Sequence, residues 1–556
     1  MFLLIKRSFR LKMDIQKLVE SMSIEQLCSQ VIVGTLSNSL DEDAIYRRIE
    51  KERPGSLYFD VLGVDVSQAE LDKKLKRDKY WSNYTTDLLG IPCLTTTDLE
   101  YGPVSYCKGL PQMPRPMAWG ACNDEKMIER AGELTARICR KLGVHHTLAP
   151  VVDLNLNFQN PVTGYRAVSD DADRVIKIAG AYMRGLQKNG YMATCLKHFP
   201  GDGVDDRNQH FMTTVNALSK EEWMASYGKV YKELFKQGAP SVMVGHISCP
   251  AFQEGEITEY GALPGSLSKK LITDLLKGEL GFKGCVISDA MSMIGVGALL
   301  PMSRVGIEFF KAGGDLMLFP EAGEYERLVA AVKSGDISME RLRDAAMRVL
   351  KLKQTVRLFE QTDIEEEIGD ITGDCEELDK LSQQIADNAV KIMRNNLKVV
   401  PVQKEKGRVL LINVVGHYGR DVKGTEFNAM ADEFQKYGWE VESTYNPKHR
   451  WLEENMEKFD VIVMNTHPEM HGASMRMGWK YIMPLWRGLV LHHPNFIIVA
   501  YDDPYRLYDF PYAKTLINTF SDQECAQRAA TKVILGKIEA KGKCPVSLKG
   551  FFERED

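Results

Sequence analysis

Short apolar runs alternate with helical patterns over the first 320 residues of the chain. A short apolar run bounded by turn residues predicts a buried strand, and apolar positions three or four residues apart predict a helix. The runs are QVIVGT (30–35), GSLYF (55–59), IPCLTTTD (91–98), HTLAPVVDLN (146–155), YMATCLKHF (191–199), SVMVGHIS (241–248), GCVISDA (284–290) and DLMLFP (315–320). These eight runs with helical crossovers between them predict an α/β fold, a (β/α)8 barrel of the TIM type.

Two of the helical patterns have recognisable ends. In SKEEWMASYGKVYKELFKQG (219–238), Ser219 and Glu222 have the spacing of a capping box, and large apolar residues recur on one face. The pattern DADRVIKIAGAYMRGLQKNG (171–190) stops at Gly190, a residue type common just after a helix. Both patterns fit the crossover helices of a barrel.

Polar residues concentrate where the apolar runs end. In a (β/α)8 barrel the carboxyl ends of the strands meet on one face, and active sites lie there. The polar residues at these ends are Asp98, Asp153, Lys197, His198, His246 and Asp289. Their clustering therefore predicts a site on that face.

The pattern changes after residue 355. An acidic stretch, DIEEEIGDITGDCEELDK, leads into a new series of runs, RVLLINVVG (408–416), DVIVMNT (460–466), NFIIVAYDDP (495–504) and KTLINTF (514–520), with helices at MADEFQKYG and near 474–490. These strands are too few to close a barrel, so we expect a smaller α/β/α sandwich. The predicted organisation is a barrel domain over 1–355, a connector over 356–400 and a sandwich domain over 401–556.

Composition narrows the class of protein. The chain is 44% hydrophobic and 26% charged, with 71 basic and 76 acidic residues and a net charge of -5. No block of Lys and Arg stands out, so we expect no nucleic-acid partner and no membrane partner. The scattered cysteines predict free thiols in a reducing compartment, and the apolar run at residues 2–5 is too short for a signal peptide. We therefore expect a cytoplasmic protein; the pattern leaves the oligomeric state open.

The stretch LKHFPGDGVDDRNQH (196–210) carries the densest chemistry. Lysine and histidine at a strand end can hold sugar hydroxyls, phosphate or carboxylate, and a histidine on a glycine-containing loop suits proton transfer near neutral pH. A solvated loop with capping aspartates explains the same residues about as well. A zinc site on His198, Asp202 and His210 is a weaker alternative, because the spacing matches no standard ligand set.

Asp289 ends the apolar strand in GCVISDAMSM. An aspartate at such a junction can simply cap the next helix. A carboxylate at the mouth of a barrel is equally suited to act as a nucleophile. Residue chemistry alone does not choose between these two roles.

The order and spacing of several motifs resemble the family 3 glycoside hydrolases, and within them the β-N-acetylglucosaminidase branch. The motifs are KHFPGDG followed by His210, then GHIS, then GCVISDAMSM. TTDLEYGP, LAPVVDLNLNFQNP, the region of Arg166 and the terminal GKCPVSL are also similar to segments of that family. The resemblance covers essentially the whole chain.

This resemblance implies a retaining exo-β-glycosidase with no cofactor and no metal. Asp289 would be the nucleophile, His210 the acid/base, and Asn208 the residue that orients His210. The sugar would be a terminal β-linked N-acetylglucosamine or related β-hexose of a small oligosaccharide or glycoside. The residues that would hold it are Asp98, Arg166, Lys197 and His198.

Three positions depart from the family pattern. Asn208 replaces an aspartate that polarises the histidine, and an amide supplies no negative charge, so we expect a less basic His210. Asp205 or Asp206 would compensate if the loop folds differently. Asp202 replaces a common histidine and Pro103 a common arginine, which opens the sugar preference to β-glucosidase-type specificity.

Two further alternatives follow from these departures. A histidine acid/base does not repel phosphate as a carboxylate would, so a glycoside phosphorylase with the same residues is the runner-up among enzymes. A non-catalytic sugar-binding protein is less favoured, since Lys197, His198, His210 and Asp289 are all present. In the second domain no motif selects a catalytic acid; Glu440, Glu442 and Glu469 are candidates only because they are acidic. We assign His145, His146, His467 and His471 to structure or surface.

Overall fold

The computed structural model describes residues 13–62, 67–360, 362–416, 427–445, 447–468 and 492–556. The first part of the chain contains eight strands that coincide with the eight apolar runs. They are β1 (Ile32–Leu36), β2 (Ser56–Phe59), β3 (Leu94–Thr97), β4 (His146–Thr147), β5 (Ala193–Phe199), β6 (Ser241–Val244), β7 (Cys285–Ser288) and β8 (Met317–Leu318).

These strands form one parallel sheet in the order β7-β6-β5-β4-β3-β2-β1-β8. A parallel bridge between Ile287 of β7 and Leu316, the residue before β8, joins the two ends of the sheet. The sheet thus closes on itself, and the predicted barrel is confirmed. Its interior is packed with side chains of zero to a few per cent exposure, as the near-continuous apolar runs require.

Helices surround the barrel. They are Ile15–Ser21, Ile24–Gln30, Glu42–Glu52, Gln68–Leu89, Pro116–Cys122, Glu125–Lys141, Ala172–Gln187, Lys220–Ala225, Tyr227–Lys236, the π-helix Lys270–Glu279, Ile294–Gly297, Met302–Ala312, Glu324–Lys333 and Met339–Thr355, followed by Ile364–Ile368 and Thr372–Ala389. Ser219 and Glu222 form the predicted capping box, but the helix after it breaks at Ser226 into two. None of the described helices has both the length and the apolar composition that crossing a bilayer requires.

The second sheet has six strands in the order β9-β14-β13-β12-β10-β11, all parallel except β9. They are β9 (Lys391–Asn395), β10 (Arg408–Gly416), β11 (Glu440–Tyr445), β12 (Val461–Pro468), β13 (Phe496–Ala500) and β14 (Thr515–Asn518). The accompanying helices are Asn428–Lys436, His449–Asn455, Arg506–Asp509 and Glu524–Ile534.

Both faces of this sheet are buried. Val409 and Leu411 of β10 belong to an apolar cluster with helices Asn428–Lys436 and Glu524–Ile534, and Leu410 and Ile412 belong to a second cluster on the other face. The sheet is therefore the centre of the predicted α/β/α sandwich. The second cluster also contains Met117, Ala118, Ala121 and Tyr165 of the barrel domain, so the two domains share an apolar core.

Two edge strands were not predicted. β9 lies inside the stretch 356–400 that the sequence assigns to a connector, and it pairs with β14 of the second sheet. β11 pairs with β10. The helix predicted near 474–490 lies outside the described residues. The predicted domain limits stay a prediction.

Candidate active site

A cavity of about 360 Å³ opens at the carboxyl ends of the barrel strands. Six predicted site residues line it, namely Asp98, Arg166, Lys197, His198, His210 and Asp289. The other lining residues are Tyr58, Glu100, Leu148, Gln209, Met243, Ala290, Met293, Leu318 and Phe319. The seventh predicted residue, Asn208, is buried and contacts His210. The structure therefore brings the predicted residues together.

Lys197 is the central cation of one wall. Its Nζ donates to Asp98 Oδ1 over 2.6 Å and lies 2.7 Å from Glu100 Oε1. The hydroxyl of Tyr58 donates to Asp98 Oδ2 over 2.8 Å. Burial lowers the pKa of Lys197, but the two carboxylates outweigh burial and raise it above its usual value. Lys197 is consequently a permanent cation.

Glu100 joins Lys197 to Arg166. Arg166 donates from Nε to Glu100 Oε2 over 2.9 Å and from Nη2 to Glu100 Oε1 over 2.7 Å, a bidentate pair. Burial raises the pKa of Glu100, but Arg166 and Lys197 hold it well below its usual range. Sequence reasoning missed Glu100. The signal was its place two residues after Asp98 in the motif TTDLEYGP.

His198 is held by a carboxylate. Its Nδ1 lies 2.7 Å from Asp153 Oδ2, and its backbone N–H donates to Asp153 Oδ1 over 3.1 Å. The backbone N–H of Asp202 donates to the same oxygen over 2.8 Å. Burial, and then the charge of Asp153, raise the pKa of Asp202 to about 6. Two carboxyl groups therefore lie behind His198.

His210 is held by an amide. Its Nδ1 lies 2.7 Å from Asn208 Oδ1, and its backbone N–H donates to the same oxygen over 2.9 Å. An amide oxygen only accepts, so Nδ1 carries a proton and the neutral ring is the Nδ1–H tautomer. Burial lowers the pKa of His210, and the nearby Asp289 opposes this only in part.

Asp289 immediately follows β7. Its Oδ1 accepts from the backbone N–H of Ala290 over 2.7 Å. Burial raises its pKa, but His198, His246 and the Ala290 N–H outweigh burial and hold the pKa below its usual value. The alternative that Asp289 caps the next helix is wrong, because the N-cap of Ile294–Gly297 is Met293.

His246 supports the backbone beside Asp289. Its Nε2 lies 3.0 Å from the carbonyl oxygen of Ala290, and its Nδ1 lies 2.8 Å from Ser266 Oγ. Its backbone N–H donates to Gln209 Oε1 over 3.3 Å, which fixes the side chain of Gln209 at the cavity wall. Gln209 gave no signal in the sequence beyond lying between Asn208 and His210.

The compensating role of Asp205 and the zinc alternative find no support, and compensation by Asp206 stays a prediction. The carboxylate of Asp205 accepts from the Arg207 side chain and from the backbone N–H of Val215, so it is engaged away from His210. Within the described residues no group of three or more His, Cys, Asp or Glu side chains is arranged to hold a metal ion. The zinc alternative therefore lacks a ligand set in that part of the chain.

Two of the acidic candidates of the second domain, Glu440 and Glu442, do not line the cavity. Glu440 and Glu442 lie on β11 and pair with Arg408 at 3.6 Å and 3.8 Å. Glu469 and His471 lie outside the described residues. The second domain instead reaches the barrel through His467, whose ring centre lies 6.1 Å from that of Tyr165, and through Asp522, which pairs with Arg115 at 2.8 Å.

Residues 61–352 match the family model described as the Glycosyl hydrolase family 3 N terminal domain. The chain belongs to glycosyl hydrolase family 3. The family and the class of enzyme predicted from the sequence, a glycoside hydrolase, are thus confirmed.

Relatives in this family have two kinds of activity in their names. The chain is 29% identical over 474 residues to a beta-N-acetylglucosaminidase/beta-glucosidase of Cellulomonas fimi, with 82% of this chain and 84% of that protein covered. It is 35% identical over 209 residues to a beta-hexosaminidase of Stenotrophomonas maltophilia (strain K279a), with 36% of this chain and 59% of that protein covered.

Solved structures share the two-domain fold. A beta-glucoside phosphorylase, BglX, bound to 2FGlc superposes with a TM-score of 0.83 at 26% identity, covering 96% of both chains. A family 3 beta-N-acetylglucosaminidase from Paenibacillus sp. str. FPU-7 superposes with a TM-score of 0.81 at 21% identity, covering 95% of this chain and 99% of that one. The second likeness concerns the fold alone.

Proposed function

We propose that the chain cleaves terminal β-glycosidic bonds with retention of configuration, with Asp289 as nucleophile and His210 as acid/base. The observation that carries the proposal is that these two side chains line one cavity, each close enough to shift the pKa of the other. The lowered pKa of Asp289 keeps it an anion, the form a nucleophile needs.

In the first step a carboxylate oxygen of Asp289 attacks the anomeric carbon. The bond from that carbon to the glycosidic oxygen breaks, and protonated His210 gives its proton to the leaving oxygen. In the second step neutral His210 takes a proton from water while the water oxygen attacks the anomeric carbon. The bond between Asp289 and the anomeric carbon breaks, and Asp289 leaves as a carboxylate. The proposed mechanism thus uses one carboxylate and one histidine where two carboxyl groups are usual.

The opposite wall would hold the sugar. Lys197 and Arg166 are cations fixed by Asp98 and Glu100, and Asp98 retains acceptor capacity toward a sugar hydroxyl. His198 lies on the same wall, with Nδ1 fixed by Asp153. Because these groups are held by one another, they cost little further ordering when the sugar binds.

The sugar is N-acetylglucosamine or glucose at the non-reducing end of a small glycoside. The name of the Cellulomonas fimi relative joins these two activities, and that match covers most of both chains. The cavity of about 360 Å³ falls in the size range of sites for one small ligand.

The test is turnover of an aryl β-N-acetylglucosaminide and an aryl β-glucoside, with the anomer of the first product followed by NMR. We expect turnover of at least one, with the β-anomer formed first, and a loss of about 10,000-fold or more in Asp289→Ala. Glu442→Gln, which removes an exposed carboxylate on β11, is the control and should match the unmodified protein. No turnover of either glycoside, or an α-anomer as first product, contradicts the proposal.

Phosphorolysis is the second candidate for the fate of the glycosyl-enzyme. At Nδ1 of His210 the amide of Asn208 supplies no negative charge where an aspartate would, and this lowers the repulsion that an incoming phosphate would meet. The phosphorylase BglX is also similar to this chain over 96% of its length. Rates in phosphate and in a non-nucleophilic buffer separate the two outcomes: a sugar 1-phosphate product supports phosphorolysis, and equal rates with free sugar as sole product support hydrolysis.

A further inference from the structure

One buried ion pair joins the second domain to the barrel beside the cavity. Arg115 of the barrel domain donates from Nε to Asp522 Oδ1 over 2.8 Å and from Nη2 to Asp522 Oδ2 over 3.2 Å. The backbone N–H of Arg115 also donates to Ser521 Oγ over 3.0 Å. The two charged side chains are only 16% and 14% exposed. The contact is therefore bidentate, largely dry and anchored at both the main chain and the side chain of Arg115.

The same guanidinium lies against two aromatic rings. The guanidinium carbon of Arg115 is 3.7 Å from the centre of the Tyr101 ring and 5.0 Å from the centre of the Tyr165 ring. A planar cation over an aromatic face is attracted by the ring, more strongly where water is excluded. Asp522 thus holds a group that in turn fixes two tyrosines.

The two tyrosines are the chain neighbours of the bidentate pair in the cavity wall. Tyr101 follows Glu100, and Tyr165 precedes Arg166. Glu100 and Arg166 are joined by two hydrogen bonds, and Glu100 is also 2.7 Å from Lys197. A shift of either tyrosine would move one member of this pair relative to the other, and a shift of Glu100 would be felt by Lys197.

We propose that the Arg115–Asp522 ion pair is a positioning device that sets the sugar-binding wall through Tyr101 and Tyr165. The proposal rests on the function proposed above. It assigns the second domain a part in substrate binding: docking of that domain brings Asp522 to Arg115, and Arg115 braces the two segments that carry Glu100 and Arg166. Neither Arg115 nor Asp522 lines the cavity, so both act through other residues.

A purely structural role would have a different signature. An ion pair of this burial contributes little net stability, because desolvation offsets the attraction, although removing one partner alone is costly. A loss confined to folding would lower the melting temperature and leave the affinity of the folded fraction for sugar unchanged. A positioning role predicts a loss of sugar affinity in protein that is still folded.

The experiment compares Asp522→Asn with Glu377→Gln in the full chain. Glu377 lies on helix Thr372–Ala389 and makes an equally bidentate pair with Arg130 of the barrel, at 2.7 Å and 2.8 Å, away from the cavity. We expect Asp522→Asn to raise the dissociation constant of the free product sugar and the KM of an aryl glycoside about tenfold, with the pH profile of kcat unchanged. Glu377→Gln should stay within twofold of the unmodified protein.

Two further variants separate positioning from damage. Asp522→Glu keeps the charge and should recover most of the lost affinity. Arg115→Gln combined with Asp522→Asn should cost no more than the worse single change, because the two residues act as one unit. Unchanged sugar affinity in folded Asp522→Asn, or losses that add in the double variant, would overturn the proposal. If the unmodified protein neither turns over an aryl glycoside nor binds either sugar, the proposed function fails and this inference fails with it.

Discussion

Two histidines of the cavity are held in the same way by different partners. In each, Nδ1 lies 2.7 Å from a side-chain oxygen, and the backbone N–H of the same histidine donates to that side chain. For His198 the partner is the carboxylate of Asp153. For His210 it is the amide of Asn208. The two histidines thus share the geometry of their contacts and differ in the charge of the partner side chain.

The difference assigns the two imidazoles different work. The carboxylate of Asp153 holds the His198 ring and backbone N–H together, which suits a ring that must stay in place against a sugar. The amide of Asn208 fixes the tautomer of His210 without adding a negative charge. The lowered pKa of His210, caused first by burial, favours release of its proton. In the proposed function, proton transfer therefore falls to His210 and sugar binding to His198.

Of the changes that separate the two histidines, replacing His210 is expected to have the largest effect. His210→Gln removes the proton donor, so kcat/KM for a glycoside with a poor leaving group should fall about 1,000-fold. A leaving group as acidic as dinitrophenol needs little protonation, so its kcat/KM should fall less than about tenfold. Steady-state rates with both substrates measure the contrast.

His198→Gln is the matched control for that prediction. It removes hydrogen bonds to the sugar, worth about 10- to 100-fold, and the loss should be the same for both leaving groups. The assignment of the two histidines would be reversed if the loss of kcat/KM in His210→Gln were the same for both leaving groups, or if the loss in His198→Gln depended on the leaving group.

Local sequence signals located the site residues at strand ends better than the site residues that lie between strands. Asp98, Lys197, His198 and Asp289 were predictable because each stands at the end of an apolar run, and the barrel fold gathers strand ends on one face. Residue chemistry alone singled out His210 on its glycine-containing loop, and the resemblance added its acid/base role and Arg166, which lies in the short 3-10 helix Gly164–Arg166. All eight barrel strands were predicted, since strands buried on both faces read as continuous apolar runs.

What the sequence did not reveal depends on contacts made across the fold. Glu100 matters because Arg166 and Lys197 converge on it, and neither is near it in sequence. Arg115 and Asp522 are 407 positions apart. The edge strands β9 and β11 were missed because an edge strand is only partly covered, so their residues are half-buried or exposed and the apolar pattern is weak.

A smaller effect is expected when the two histidines are made alike. Asn208→Asp places a carboxylate beside His210 and should raise its pKa by at least one unit. As the proposed proton donor of the first step, His210 must be protonated, so kcat/KM should fall as the pH rises through its pKa, which burial holds below its usual value in the unmodified protein. The alkaline limb of the kcat/KM profile should therefore move up by about one pH unit or more. At pH 7.5 this gives about a tenfold gain in kcat/KM for a substrate with a poor leaving group.

The control for that shift is Asn208→Ala, which removes the acceptor without adding charge. It should lower kcat/KM and leave the alkaline limb at or below its original pH. If the alkaline limb does not move in Asn208→Asp, a group other than His210 controls that limb.

The smallest effect on catalysis is expected behind His198, at Asp202. Its pKa is raised to about 6 from 3.8, so between these values the folded protein binds a proton that the unfolded chain has lost. Stability therefore falls as pH rises from about 4 to about 6, by roughly 3 kcal/mol at most.

The variant Asp202→Asn tests this dependence, because it mimics the protonated acid. Its melting temperature should exceed that of the unmodified protein at pH 7.5, and the excess should be clearly smaller at pH 4.5, with kcat within about threefold because Asp153 still holds His198. The exposed Asp206→Asn is the control for scanning calorimetry at both pH values, and an Asp202→Asn protein that melts lower at pH 7.5 would show that ionised Asp202 stabilises the fold.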